Sequence, residues 1–358
     1  MGRKLREMSL EELLVEMHRM ELTRENDVNG NEVGYGPEIE VHKRVLQELK
    51  NFKSNTVKSS EDIRTDVERK LSKLLYNHGS EMKFRGQGSR FDAEKALEQA
   101  IHLDSKNGMA AYRLAFINYR VADYKKAIRY FNAALENTIH DEPIFCLSNR
   151  EIYYARLYLM MCHLREADNL NDELDDPNII KKYPDLPYVP YSIKEFVNNF
   201  NEELSDQAYM VVDNKKTRYV SYQEAQVMFT SSGRQKDTLI IWLDGVNSKI
   251  AFNKKERLFY SEFKAKQLVY LLHSTHQNNP GNEDNMQKSF DELPESPDLT
   301  NIRVRSAIKN IRKLLLDFYP DPDIIITSRQ PTLKGYYYNG KVPYQIICRS
   351  EEAMDLYL

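Results

Sequence analysis

Apolar positions along the first half of the chain recur at helical spacing. Leu10, Leu13, Leu14, Met17 and Met20 follow a Ser9/Glu12 pair three residues apart, the capping-box pattern that opens an amphipathic helix. Residues 27–38, with Asn29, Gly30, Asn31, Gly34, Gly36 and Pro37, predict a loop before a second helical stretch carrying Val41, Val45, Leu46 and Leu49. Past Leu204 the pattern shortens to β-rich runs at Ala208–Val212, Arg218–Tyr222, Thr238–Leu243 and Lys249–Phe252, which predict a small antiparallel sheet. Ser221 to Phe229 fits either a strand or a capped helix, since Ser221 and Glu224 also have capping-box spacing. Helical spacing then returns: Ser261 can cap a helix with Phe263, Leu268, Leu271 and Leu272 on one face, and Met286, Phe290 and Leu293 predict a shorter second helix.

An internal repeat lies in the helical half. Ala93, Leu97 and Ala100 recur 34 positions later as Ala127, Phe131 and Ala134, the period of one helix-turn-helix unit. Small Ala115, Ala127 and Ala134 allow close helix approach, with Leu114, Tyr124 and Phe131 filling the space between. The segment from Ala111 to Leu135 resembles a tetratricopeptide repeat (TPR), and residues 60–170 resemble one good repeat flanked by degenerate ones. That resemblance implies a stacked-helix architecture whose concave side presents Met109, Tyr112, Phe116, Tyr119 and Arg120 to a peptide or protein; the competing reading is that these aromatics pack as core. Tyr153, Tyr154 and Tyr158 present the same choice. Gly86-Gln87-Gly88 lacks the further glycine and strand-helix setting of a dinucleotide loop and reads as a turn.

From Asp168 to Ser192 the chain becomes acidic and then proline-rich, which is linker composition, and Ser192 with Glu195 then predicts a short helix through Phe196, Val197 and Phe200. These signals divide the chain into N-terminal helices (1–58), helical repeats (59–170), a linker with a connecting helix (171–204), an α+β domain (205–345) and a tail (346–358). The fold class expected is all-α followed by α+β.

The most informative segment is Asn301 to Leu316. Val304, Ile308, Ile311, Leu315 and Phe318 alternate at spacings of four and three, which commits one side of a helix to the core. The other side carries Arg303, Arg305, Ser306, Lys309, Asn310, Arg312 and Lys313, with no acid before Asp317. Arginine and lysine neutralise phosphates or donate to guanine edges, and asparagine pairs with adenine, so these residue types suit a helix in a major groove. The bland alternative is a solvated face, but such faces usually mix signs to gain pairs along the helix. After it, Asp323–Ser328 and Tyr336–Tyr338 predict two strands joined through Arg329–Gly335, a hairpin carrying the cations Arg329 and Lys334.

This order, together with Val304, Ile308, Ile311-Arg312, Leu315, then Ile325-Ile326-Thr327-Ser328-Arg329 and Lys334-Gly335-Tyr336, resembles the winged-helix effector domains of OmpR/PhoB-type response regulators over residues 205–340. The resemblance implies a leading antiparallel sheet, a recognition helix and a wing, hence binding of double-stranded DNA. Two departures stand out: a long polar loop from His273 to Asn285, and extra residues between Arg329 and Gly335. The receiver domain that normally accompanies such domains has no counterpart in the helical first half, so control by aspartyl phosphorylation is not expected.

Charge sharpens this picture. The net charge of −3 conceals an asymmetry: residues 1–204 hold 30 Lys+Arg against 35 Asp+Glu, and residues 205–358 hold 21 against 19. Cys146, Cys162 and Cys348 are far apart with no CxxC spacing, and the eight histidines form no HExxH, so neither metal site nor disulfide framework is predicted. No nucleophile-base set stands out, and paired Asp175-Asp176 lies in linker sequence, so no catalysis and no cofactor are expected. A charged amino terminus and the lack of a long apolar run predict a cytoplasmic protein with no membrane contact. The function expected is a bacterial-type transcription regulator, acting as a homodimer, whose repeats sense a peptide or protein. The rival is a non-catalytic scaffold using both parts for protein contacts.

Overall fold

The computed structural model describes residues 5–25, 35–51, 57–82, 90–141, 143–174, 194–213, 216–230, 235–244, 248–259, 262–282, 297–319, 322–330 and 333–352. The Met286–Leu293 helix, the Gly86–Gly88 turn, the Ser261 and Ser192 caps and the proline-rich stretch after Leu174 lie outside them.

The first half is built of helices α1 (Leu10–Glu25), α2 (Tyr35–Asn51), α3 (Val57–Met82), α4 (Arg90–Leu103), α5 (Gly108–Arg120), α6 (Tyr124–Glu136) and α7 (Asn149–Leu174), each packed on the next, with α8 (Lys194–Asp206) lying against α7. The Ser9/Glu12 pair forms its capping box, with Ser9 N–H donating to Glu12 at 2.8 Å and Glu12 N–H to Ser9 Oγ at 3.3 Å. Asn107 and Asp123 cap α5 and α6 by accepting from Ala110 and Lys126 N–H. The 34-residue repeat is structural: Ala93, Leu97, Ala100, Ala127, Phe131 and Ala134 are all fully buried. Small residues make that possible. At Gly79 on α3 an added Cβ would sit 2.7 Å from Leu97 Cγ, so α3 and α4 touch closely at this glycine.

Two boundaries move. Tyr35, Gly36 and Pro37 begin α2 instead of closing a loop, since proline is tolerated in the first turn of a helix. The boundary at 170 falls inside α7, because Leu164, Asp168 and Leu170 to Leu174 continue its helical turns.

The second half is α+β. Strands β1 (Tyr209–Asp213), β2 (Thr217–Val220), β3 (Leu239–Trp242), β4 (Lys249–Phe252), β5 (Lys255–Leu258) and β8 (Tyr344–Arg349) form one sheet in the order β2-β1-β8-β3-β4-β5. Strands β6 (Ile325–Gln330) and β7 (Leu333–Tyr338) form a separate antiparallel hairpin. Helices α9 (Tyr222–Phe229), α10 (Glu262–Ser274) and α11 (Pro297–Phe318) complete it. The ambiguity at Ser221 resolves to helix: its capping box with Glu224 is fully formed.

The sheet is mixed, correcting the antiparallel expectation. β8 pairs antiparallel with β1 (Val211 opposite Ile347) and parallel with β3 (Ile240 opposite Gln345). Tyr344–Arg349, split between domain and tail in the sequence reading, is thus a central strand. It is buried on both faces, so its apolar residues run together without alternation. Met210, Val212, Leu239, Ile241, Ile346 and Cys348 face the core shared with α10 and α11, while Tyr209, Val211, Ile240, Ala251 and Ile347 face α9. Trp242 lies on that second side against Tyr209, Tyr222 and Phe229.

The hairpin is also tighter than expected. Arg329 and Lys334 are paired partners, as are Gln330 and Leu333, so the residues expected to loop out extend the ladder.

Candidate nucleic-acid interface

Helix α11 begins at Pro297, earlier than the apolar spacing suggests, and proline is favoured in a first turn because its missing N–H is not needed there. Val304, Ile308, Ile311, Leu315 and Phe318 are buried against α10 and the sheet, which fixes the helix's rotation. Arg305, Lys309 and Lys313 are exposed, and Ser306 and Asn310 are half-buried beside them. At four-residue spacing the three cations form one stripe, about 12 Å from first to last. Arg303 lies on the same helix, with its side chain outside the described residues.

Arg312 is placed differently from the sequence reading. Its guanidinium turns toward the hairpin: Nε and Nη2 donate to Ile325 O at 3.0 and 2.8 Å, and Nη2 to Thr327 Oγ1 at 2.7 Å. The group also lies 5.7 Å from the centre of the Tyr336 ring. A planar, five-donor head suits this fork, and its position next to Ile311 on the helix edge makes the hairpin the nearest acceptor. Arg312 is therefore a clamp between α11 and the hairpin, committed away from any phosphate.

The hairpin is held from a second side. Tyr336 and Gly281 exchange backbone hydrogen bonds at 2.9 and 2.8 Å, so the segment after α10 pairs with β7. Gly335 has φ of +151°, and a Cβ there would lie 2.5 Å from Gly281 O. Glycine is required at this position, which gives the Lys334-Gly335-Tyr336 motif a physical reason. Below it, Tyr338 N–H donates to buried Thr275 Oγ1, and the Tyr338 hydroxyl donates to Val342 O. Lys334 is exposed on this braced strand; Arg329 lies opposite it in register, with its side chain outside the described residues.

The acid that closes the basic stripe is neutralised locally. Arg257 on β5 donates to Asp317 Oδ2 at 2.5 Å, and Lys255 Nζ donates to Asp317 O at 2.7 Å, satisfying a carbonyl at the helix's negative end. Sequence reasoning missed both, because β5 is a four-residue charged strand with no alternation to mark it.

The face expected to line an open groove in the helical half is filled. Met109, Tyr112 and Phe116 are buried, and Phe116 packs edge-on to Tyr112, Phe131 and Tyr158. The Tyr119 hydroxyl donates to Asn201 on α8 at 3.2 Å, and Arg120 pairs with Glu351 at 2.9 Å. The core reading holds for these aromatics, since stacked helices need a continuous apolar filling. The remaining polar groups meet the chain's own Ser350–Glu352 turn, a contact with no signal in the sequence.

Comparisons with known proteins find no matching family model and no matching curated protein. Among the described residues no helix is long and apolar enough to cross a membrane.

Proposed function

We propose that the protein is a DNA-binding transcription regulator whose C-terminal half acts as a winged-helix module similar to OmpR/PhoB-type effector domains. In this reading α11 is the recognition helix, the β6–β7 hairpin is the wing, and the TPR-like helices sense a peptide or protein partner. One observation carries it: Arg305, Lys309 and Lys313 form an exposed cationic stripe on a helix that Arg312 fixes to a second cation-bearing element. Rigid presentation of cations on two elements matches what a duplex backbone rewards, because phosphate contacts set register while donors between them read base edges.

Replacing Arg305, Lys309 and Lys313 together by Ala, all at exposed positions, leaves the fold intact and weakens duplex binding. The slope of log affinity on log salt becomes shallower by roughly 2 to 3, at about 0.9 for each lost phosphate contact. Unchanged affinity and slope in a titration with mixed-sequence duplex would overturn the assignment. Absence of duplex binding at low salt, with capture of a protein through the same stripe, would return the scaffold reading.

A further inference from the structure

The junction between the helical half and the sheet is made of arginines facing acids. Strand β8 ends at Arg349, and the next three residues form a single 3-10 turn. Arg150, in the first turn of α7, donates through Nε and Nη2 to Ser350 O, both at 3.1 Å. Tyr112 donates to Glu351 O at 2.9 Å, and Arg120 donates to Glu351 at 2.9 Å and to Glu352 at 3.4 Å. Arg113 approaches Glu352 at 3.8 Å. Arg113 and Arg120 are seven residues apart on α5 and so share one face, about 10 Å apart along the axis.

Three features set this contact apart from a permanent joint. Ser350 is tied to the link just before β1, its N–H donating to Ala208 O at 2.9 Å and its hydroxyl to Gln207 O at 2.6 Å. Glu351 and Glu352, by contrast, reach the helical half through one carbonyl and two carboxylates, so they can leave without breaking a strand pairing. Secondly, the cleft holds more donors than the turn satisfies: Arg113 Nε and Nη1 are buried and make no hydrogen bond. A buried, incompletely bonded guanidinium is costly, and a carboxylate placed squarely on it would relieve that cost. Thirdly, the cleft opens to solvent at Arg120, whose side chain keeps 32% of its surface exposed against 6% for Glu351.

We propose that this arginine cleft is a binding site for an acidic peptide segment, and that the Glu351-Glu352 turn is its tethered occupant. An incoming acidic peptide takes the arginines and releases Glu351 and Glu352, while Ser350 and the end of β8 stay in place. This names the chemistry of the partner in the sensing half of the reading above; it needs no DNA to be tested.

A tethered occupant competes at millimolar effective concentration, so external peptide binds weakly until the occupant is weakened. The probe is a labelled, end-blocked peptide with the sequence of residues 350–355, Ser-Glu-Glu-Ala-Met-Asp, titrated against the full chain by fluorescence anisotropy. The E351Q/E352Q chain is expected to bind it at least tenfold more tightly than the unaltered chain. Adding Arg120→Gln is expected to cancel that gain, and a Ser-Gln-Gln-Ala-Met-Asn peptide to show none. Tyr112→Phe, which loosens the turn and leaves every arginine in place, should shift affinity in the same direction, covering the case in which the double variant fails to fold. Equal affinities for the unaltered and loosened chains, or equal binding of the neutral peptide, would overturn the proposal. Either result leaves the duplex titration standing on its own, and failure of that titration leaves this one intact.

Discussion

The hydroxyl of Tyr112 donates to the backbone carbonyl of Glu351 at 2.9 Å, joining residues 239 positions apart. Burial pushes this hydroxyl's pKa well above its ordinary value, so it remains a donor throughout the working range of pH. Tyr112→Phe keeps the ring in the Phe116 cluster and removes only the bond, which costs about 1 kcal/mol. Trp242, the single tryptophan of the chain, sits on the sheet and reports that half alone. In urea titrations the variant's Trp242 fluorescence transition should separate from its far-UV circular dichroism transition, which the helical half dominates. Coincident, unshifted transitions would show that the two halves do not communicate through this bond.

Arg312→Ala removes three hydrogen bonds to the hairpin and leaves Ile325 O without its partners. Hydrogen bonds from a charged donor contribute more than neutral ones, so the loss should be about 2–3 kcal/mol. Arg312→Lys should recover little of it, since an ammonium cannot form the fork. Lys309→Ala on the exposed side should stay within about 0.5 kcal/mol of the unaltered chain. Equilibrium denaturation of the three variants checks the ranking.

Gly335→Ala meets both an unfavourable φ and a backbone oxygen 2.5 Å from the new methyl. Relief requires the hairpin to part from Gly281, and the expected cost is about 1–3 kcal/mol. Amide exchange of Gly281 and Tyr336 should speed up by more than tenfold, with exchange in β1 unaffected.

Glu21 supplies a pH dependence in the helical half. Burial opposes its ionisation, yet Lys70, which donates to it at 3.4 Å, and His42, 3.6 Å away, outweigh it and bring its pKa down from 4.5 to about 2. Its folded value lies below its unfolded one, so the stability it contributes is complete above about pH 4.5 and is lost as pH falls toward 2. Glu21→Gln should therefore be destabilised at pH 7, with the difference from the unaltered chain shrinking between pH 4.5 and pH 2 in thermal melts.

What could be read beforehand followed locality. The capping box at Ser9, the repeat at Ala93 and Ala127 and the buried face of α11 are each set by residues within a few turns of one another and appear as expected in the folded chain, whereas the strand-or-helix choice at Ser221 is decided only by the fold. Strand β8 was missed because its partners are β1 and β3, more than a hundred residues earlier, and a strand buried on both faces has no alternation to announce it. The same limit applied to the site. Lys309 and Lys313 are legible as cations on an exposed face, whereas Arg312 looks identical to them in sequence and differs only in having Ile325 O and Thr327 Oγ1 within reach. The acidic turn at Ser350–Glu352 offered no periodicity at all, and its role depends entirely on which arginines the fold brings against it.

The position of β8 also has a consequence for biosynthesis. It leaves the ribosome after every other described strand, yet it lies in the middle of the sheet. Until residues 344–349 emerge, β2-β1 and β3-β4-β5 are two separate ribbons, each with an unpaired edge where β8 will sit. The helical half, whose contacts are sequential, can fold while those ribbons wait. A chain interrupted before Tyr344 would thus carry a packed helical half beside two sheet fragments with open edges, a product for proteases and chaperones.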